Sequence, residues 1–91
     1  MSLAVHKYLL RNVDGVSHVT MPKDARILHC EAQCGEFMLW AIVDLETKSS
    51  ETRHFLVLGT GQKFDATDLA RMKHINTFQQ DIFVWHVFEW A

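Results

Sequence analysis

The sequence predicts an all-β domain: a small antiparallel sandwich or partly open barrel of about seven strands, with at most one short helical turn. Three observations carry this. The last segment, Ile82-Phe83-Val84-Trp85-His86-Val87-Phe88-Glu89-Trp90, has a period of two and is apolar and aromatic on both faces, with no Pro or Gly. Such a run reads as a strand with little water on either side. Turn signals recur about every ten residues along the chain. Only the stretch from Gln62 to Ala70 has room for a helix, and there only for one turn capped by Thr67 or Asp68.

Taken in order, Val5-His6-Lys7-Tyr8-Leu9-Leu10 is the first strand, and Asn12-Val13-Asp14-Gly15 supplies the turn that ends it, because Asp-Gly tolerates positive φ. Val16 to Thr20 is the second strand, broken by Pro22, which has no N–H to give a ladder. The third runs from Arg26 to Gln33, with Leu28, Cys30 and Ala32 on one face and Ile27, His29, Glu31 and Gln33 on the other. Cys34-Gly35 is a tight reversal into Glu36-Phe37-Met38-Leu39-Trp40-Ala41-Ile42-Val43, again apolar on both faces. The Gly35 start and polar Asp44 stop favour a strand over a buried helix. Glu51 to Gly59 is the fifth strand and ends in Gly59-Thr60-Gly61. Met72 to Phe78 is a sixth strand with poor alternation, and Gln79-Gln80-Asp81 turns the chain into the last.

Ninety-one residues make one domain, residues 1–91, with a core but no room for a second. Apolar residues at 48% and charged residues at 22% exclude disorder. A net charge of −2 with scattered Lys and Arg lacks the footprint of a protein that binds nucleic acid directly. No apolar run reaches the roughly 20 residues a membrane helix needs, and the N-terminus lacks the pattern of a signal peptide. Cys30 and Cys34, four apart in an extended segment, would hold their Cα atoms about 13 Å apart, beyond disulfide reach. Reduced thiols in a cytoplasmic protein are the expectation. Two strands that are apolar on both sides exceed what one copy hides, so a homo-oligomer is expected as well.

The blocks Arg26-Ile27-Leu28 through Leu39-Trp40-Ala41-Ile42-Val43-Asp44, then Arg53-His54-Phe55 with Gly59-Thr60-Gly61, and His86-Val87-Phe88-Glu89, resemble a family of small uncharacterised phage and prophage proteins. The recurring pattern there is LWA-x-VD, F-x-x-x-GTG and HVFE. The resemblance covers nearly all of the chain after the first strand. It implies a phage-encoded protein acting in the host bacterial cytoplasm, and it brings no catalytic or ligand residues with it.

Gly59-Thr60-Gly61 after a strand invites a phosphate-loop reading, with Thr60 and Lys63 assisting. A phosphate cradle needs consecutive N–H groups opening a helix, and no strong helix follows, so a turn is the better reading. Six histidines raise a metal site, but neither His29 with Cys30 and Cys34, nor His54, His74 and His86, has ligand-pair spacing. His86 reads as a core or interface histidine. His29 points to the opposite face from Cys30, so neither cysteine has an adjacent base to make it a nucleophile. Glu31, Glu36, Asp44 and Glu89 have no enforced geometry for paired-carboxylate chemistry. No enzyme, no cofactor and no metal is therefore expected. Trp40, Trp85, Trp90, Phe55 and Phe88 are a surplus of rings, mostly core, some of which would stack on a planar ligand while Arg53 or Lys63 meets a phosphate. The candidate ligand-binding residues are Arg53, Thr60, Gly61, Lys63, Trp40 and His86. The expectation is a non-enzymatic counter-defence module, a homo-oligomer sequestering a small nucleotide signal of host immunity. The alternatives are an anti-CRISPR-like inhibitor that binds a host effector protein, or a minor virion or assembly component.

Overall fold

The computed structural model describes residues 1–11 and 15–91. Seven strands are formed among them: β1 Leu3–Leu9, β2 Val16–Pro22, β3 Arg26–Gln33, β4 Glu36–Asp44, β5 Ser50–Gly59, β6 Met72–Gln80 and β7 Phe83–Trp90, with one 3₁₀ turn at Ala66–Arg71. All pairings are antiparallel, and the strands divide into a three-stranded sheet β1-β4-β3 and a four-stranded sheet β2-β5-β7-β6. The result is an all-β sandwich without barrel closure. No helix among the described residues is long and apolar enough to cross a membrane.

The core lies between the sheets. Cys30, Leu39, Ala41 and Val43 enter it from the three-stranded sheet, and Val19, Met21, Phe55, Val57, Phe78 and Val87 from the four-stranded one. Because β4 is a central strand, Leu39, Ala41 and Val43 are buried while the alternate set Met38, Trp40 and Ile42 is only half-buried on the outer face. β7 behaves likewise: Val87 is fully buried, whereas Val84, His86, Phe88 and Trp90 stand half-covered outside. Each sheet has a partner layer on one side only, so two-sided apolar strands do not become two-sided burial.

Several expectations need correction. Strict alternation put Leu28 on the same face as Cys30, but a β-bulge between Ile27 and His29 shifts the register there. Ile27 packs on the core and Leu28 is 43% exposed. A second bulge, between His74 and Asn76, accounts for the poor alternation of the sixth strand, which also extends to Gln80. Ile82 is not part of the last strand. It sits at the hairpin tip after Asp81, which has φ 53, and is 88% exposed. The 3₁₀ turn is capped by neither Thr67 nor Asp68 but by Asp65, whose carboxylate accepts from the Thr67 N–H and hydroxyl at 2.9 and 2.8 Å. Those two bonds hold the Asp65 carboxyl below its ordinary pKa. The turn expected at Asn12, Val13 and Asp14 lies outside the described residues.

Candidate functional site

The register of the four-stranded sheet gathers polar and aromatic side chains on its outer face. His86, on central β7, is opposite Leu58 of β5 and Thr77 of β6. One row on, Phe88 lies between Leu56 and His74, and beyond it Trp90 lies between His54 and Met72. His18 pairs with His54 across β2 and β5, their Nδ1 atoms 2.6 Å apart. Four of the six histidines thus share a face that period-two reading of separate strands could not align.

At the end of β5 the chain folds back over this face. The Thr60 N–H donates to the Val84 carbonyl (3.1 Å), the Gln62 N–H to the Gly59 carbonyl (3.0 Å), and the Gly59 N–H to Gln62 Oε1 (3.1 Å). The two glycines do different work here. A Cβ on Gly59 would come within 3.3 Å of the Trp85 ring, and Gly61 has φ +88. The loop covers Leu58, which is 5% exposed although it points outward. A cavity of about 190 Å³ remains beneath it, walled by Leu58, Phe64 and Phe88 and rimmed by Thr60, Gly61, Gln62 and His86.

Hydrogen bonds link the side chains along the rim. Thr60 Oγ1 lies 2.8 Å from His86 Nε2 and 3.4 Å from the Val84 carbonyl. His86 Nδ1 is hydrogen-bonded to the Thr77 hydroxyl at 3.0 Å, and that hydroxyl to His74 Nε2, also at 3.0 Å. Together these contacts form a continuous polar chain His74–Thr77–His86–Thr60 along the face.

Of the six residues nominated from sequence, Thr60, Gly61 and His86 meet at this cavity. Lys63 is an exposed member of the same loop but does not line the cavity. Arg53 is committed elsewhere. Its guanidinium faces the sandwich interior, donating from Nε and Nη2 to the two Glu89 carboxylate oxygens (2.6 and 2.7 Å) and from Nη1 to the Ala25 carbonyl. The bond to Glu89 holds the guanidinium above its ordinary pKa. Trp40 is on the outer face of the other sheet, its ring 6.4 Å from that of His29. Sequence reasoning missed Phe64 and Gln62. The available signal was a single aromatic in an otherwise polar stretch after a glycine pair. The run of free N–H groups that a phosphate cradle needs is not offered, since the N–H groups of Gly59, Thr60 and Gln62 are all engaged within the protein. Among the described residues, no three His, Cys, Asp or Glu side chains are placed to hold a metal ion.

A family model described as "Domain of unknown function (DUF7352)" matches residues 1–91. None of the curated proteins and none of the solved structures matches the chain.

Proposed function

The chain belongs to the DUF7352 family, whose function is unknown, and from its own surface we propose that it is a non-enzymatic binding module for a small planar ligand. The observation that supports this is the convergence of Thr60, Gly61 and His86 with the rings of Phe64 and Phe88 around one cavity. Apolar walls with a few polar groups at the rim are the usual make-up of a small-molecule site. At about 190 Å³ the cavity falls below the roughly 300–1,000 Å³ of pockets that enclose drug-sized ligands, so one ring enters and the rest stays outside. A nucleobase suits that shape, stacking on Phe64 or Phe88 and presenting its edge to His86 and Thr60. The phosphate would lie over the rim toward Lys63. Neither carboxylate nor thiol lines the cavity among the described residues, and both His86 nitrogens are engaged, so binding is favoured over acid–base chemistry.

The resemblance to phage proteins extends the proposal to a setting: a counter-defence protein in the host bacterial cytoplasm that sequesters a small nucleotide signal of immunity. The test is a thermal-shift series with free bases, mononucleotides and cyclic nucleotides. A ligand at a hundred times its Kd stabilises the folded state by about 2.7 kcal/mol, and each kcal/mol raises Tm by roughly 4–8 °C in a domain of this size. Phe64 is 47% exposed, so Phe64→Ala should leave the unliganded Tm nearly unchanged and abolish the shift. A melting curve that no ring-bearing ligand moves would remove the proposal.

A further inference from the structure

We infer that two copies of this chain join edge to edge through β1, which pairs with its own symmetry mate to make a continuous six-stranded sheet. The inference is independent of the ligand reading, because β1 belongs to the other sheet.

The backbone of β1 is half used. The Leu45 N–H donates to the Ser2 carbonyl and the Leu10 N–H to the Phe37 carbonyl, each at 2.9 Å, at the two ends of the β1–β4 register. Hydrogen-bonded and non-bonded pairs alternate in an antiparallel ladder, so Ala4, His6 and Tyr8 face β4. Leu3, Val5, Lys7 and Leu9 direct their N–H and C=O groups away from it. Among the described residues these groups have no partner. Their side chains lie on the outer face, where Leu3 is 59% and Val5 57% exposed.

The other edges are defended and this one is not. β3 carries a bulge, and its Cys30 N–H and C=O are both taken by the Asn76 side-chain amide at 2.8 Å. β6 carries a bulge, and β2 ends in Pro22, which has no N–H. β1 keeps an unbroken register over seven residues, with no Pro and no bulge. Its one outward charge is drawn away: Lys7 Nζ donates to Gln33 Oε1 of β3 at 2.8 Å, so its stem lies across the sheet.

The partner that fits is a second copy, because the edge is self-complementary about His6. Antiparallel pairing of Leu3 with Leu9, and of Val5 with Lys7, uses all four outward residues on each side and leaves no donor over. The edge is about 23 Å long at 3.3 Å per residue, which against a sheet about 10 Å thick gives roughly 230 Å² of section per copy. That is well under the roughly 800 Å² per partner of a standard stable interface. The dimer is therefore concentration-dependent, and it extends the apolar outer face rather than burying it.

Sedimentation velocity from micromolar to millimolar concentration, with amide exchange followed by NMR at both ends, tests this. The mass should rise from 10.6 kDa toward twice that value. The amides of Leu3, Val5, Lys7 and Leu9 should gain at least several-fold protection, while those of Val16, His18 and Thr20 on the β2 edge stay unchanged. Val5→Pro removes an N–H that β4 does not use, so it should leave the fold intact and the protein monomeric. Should that variant fail to fold, the residue pattern of exchange in the unaltered protein decides alone. A single-copy mass at millimolar concentration, association of V5P equal to that of the parent, or protection gained on the β2 edge instead would each overturn the inference.

Discussion

Arg53 shows how a residue's partners decide its role. With side chains 18% and 20% exposed, Arg53 and Glu89 form a bidentate pair that also ties down the Ala25 carbonyl at the β2–β3 connection. Removing one member strands the other in a partly dry site, so Glu89→Ala and Arg53→Ala should each cost about 2–3 kcal/mol in urea unfolding. The double variant should cost much less than their sum. The two cysteines diverge as sharply. Cys34 is exposed, while Cys30 is fully buried, and desolvation, with Glu31 adding repulsion, pushes its thiol from an ordinary 9.0 up to about 12. A thiol reagent should therefore modify Cys34 at once and Cys30 only on unfolding. The sign for stability follows from which state ionises first. Above pH 9 the unfolded chain loses the Cys30 proton before the folded one does. The stability this group contributes is complete below that pH and is lost as pH rises toward about 12. Urea midpoints of the parent and Cys30→Ala should converge across that window.

Between elements, the Asn76 amide acts as a substitute strand. By accepting from the Cys30 N–H and donating to the Cys30 C=O, it closes the β3 edge against the β6 edge and stitches the sheets together. Asn76→Ala leaves both backbone groups part-buried and unpaired and should cost about 1–3 kcal/mol. The Cys30 amide should then exchange faster than its neighbours. The β3–β4 hairpin turns on Cys34 and Gly35 with φ 53 and 81, the two positive angles that a two-residue type I′ loop requires. Gly35→Ala meets no side chain, so its cost is backbone strain alone, about 1 kcal/mol. Cys34→Asn should be neutral or stabilising, since Asn-Gly is the preferred pair there. In thermal melts the midpoint of Gly35→Ala should fall, while that of Cys34→Asn should hold or rise. This hairpin was legible in the sequence, because positive φ is a local demand that Gly answers locally. The bulges in β3 and β6 were not. An inserted residue looks like imperfect alternation until the partner strand shows which residue is extra.

Across the whole molecule, the sequence placed all seven strands to within a few residues, and the all-β sandwich was among its two alternatives. Period-two patterning and turn chemistry act over short stretches of chain, which is why they could be read without a structure. The nominated site fared unevenly for the same reason. Thr60 and Gly61 are neighbours in sequence, and His86 joins them because Leu58 and His86 pair across β5 and β7. Trp40 and Arg53 have the right chemistry but belong to the other sheet's outer face and to the interior.

What the sequence determined by itself was the set of strands, the Cys34-Gly35 reversal and the excess of apolar strand surface, because each depends on a residue and its near neighbours. Which strands share a sheet, which face turns inward and which histidines become neighbours were decided only by the tertiary structure. Pairing between β5 and β7, or β1 and β4, sums many weak cross-strand contacts, and no single residue carries that sum.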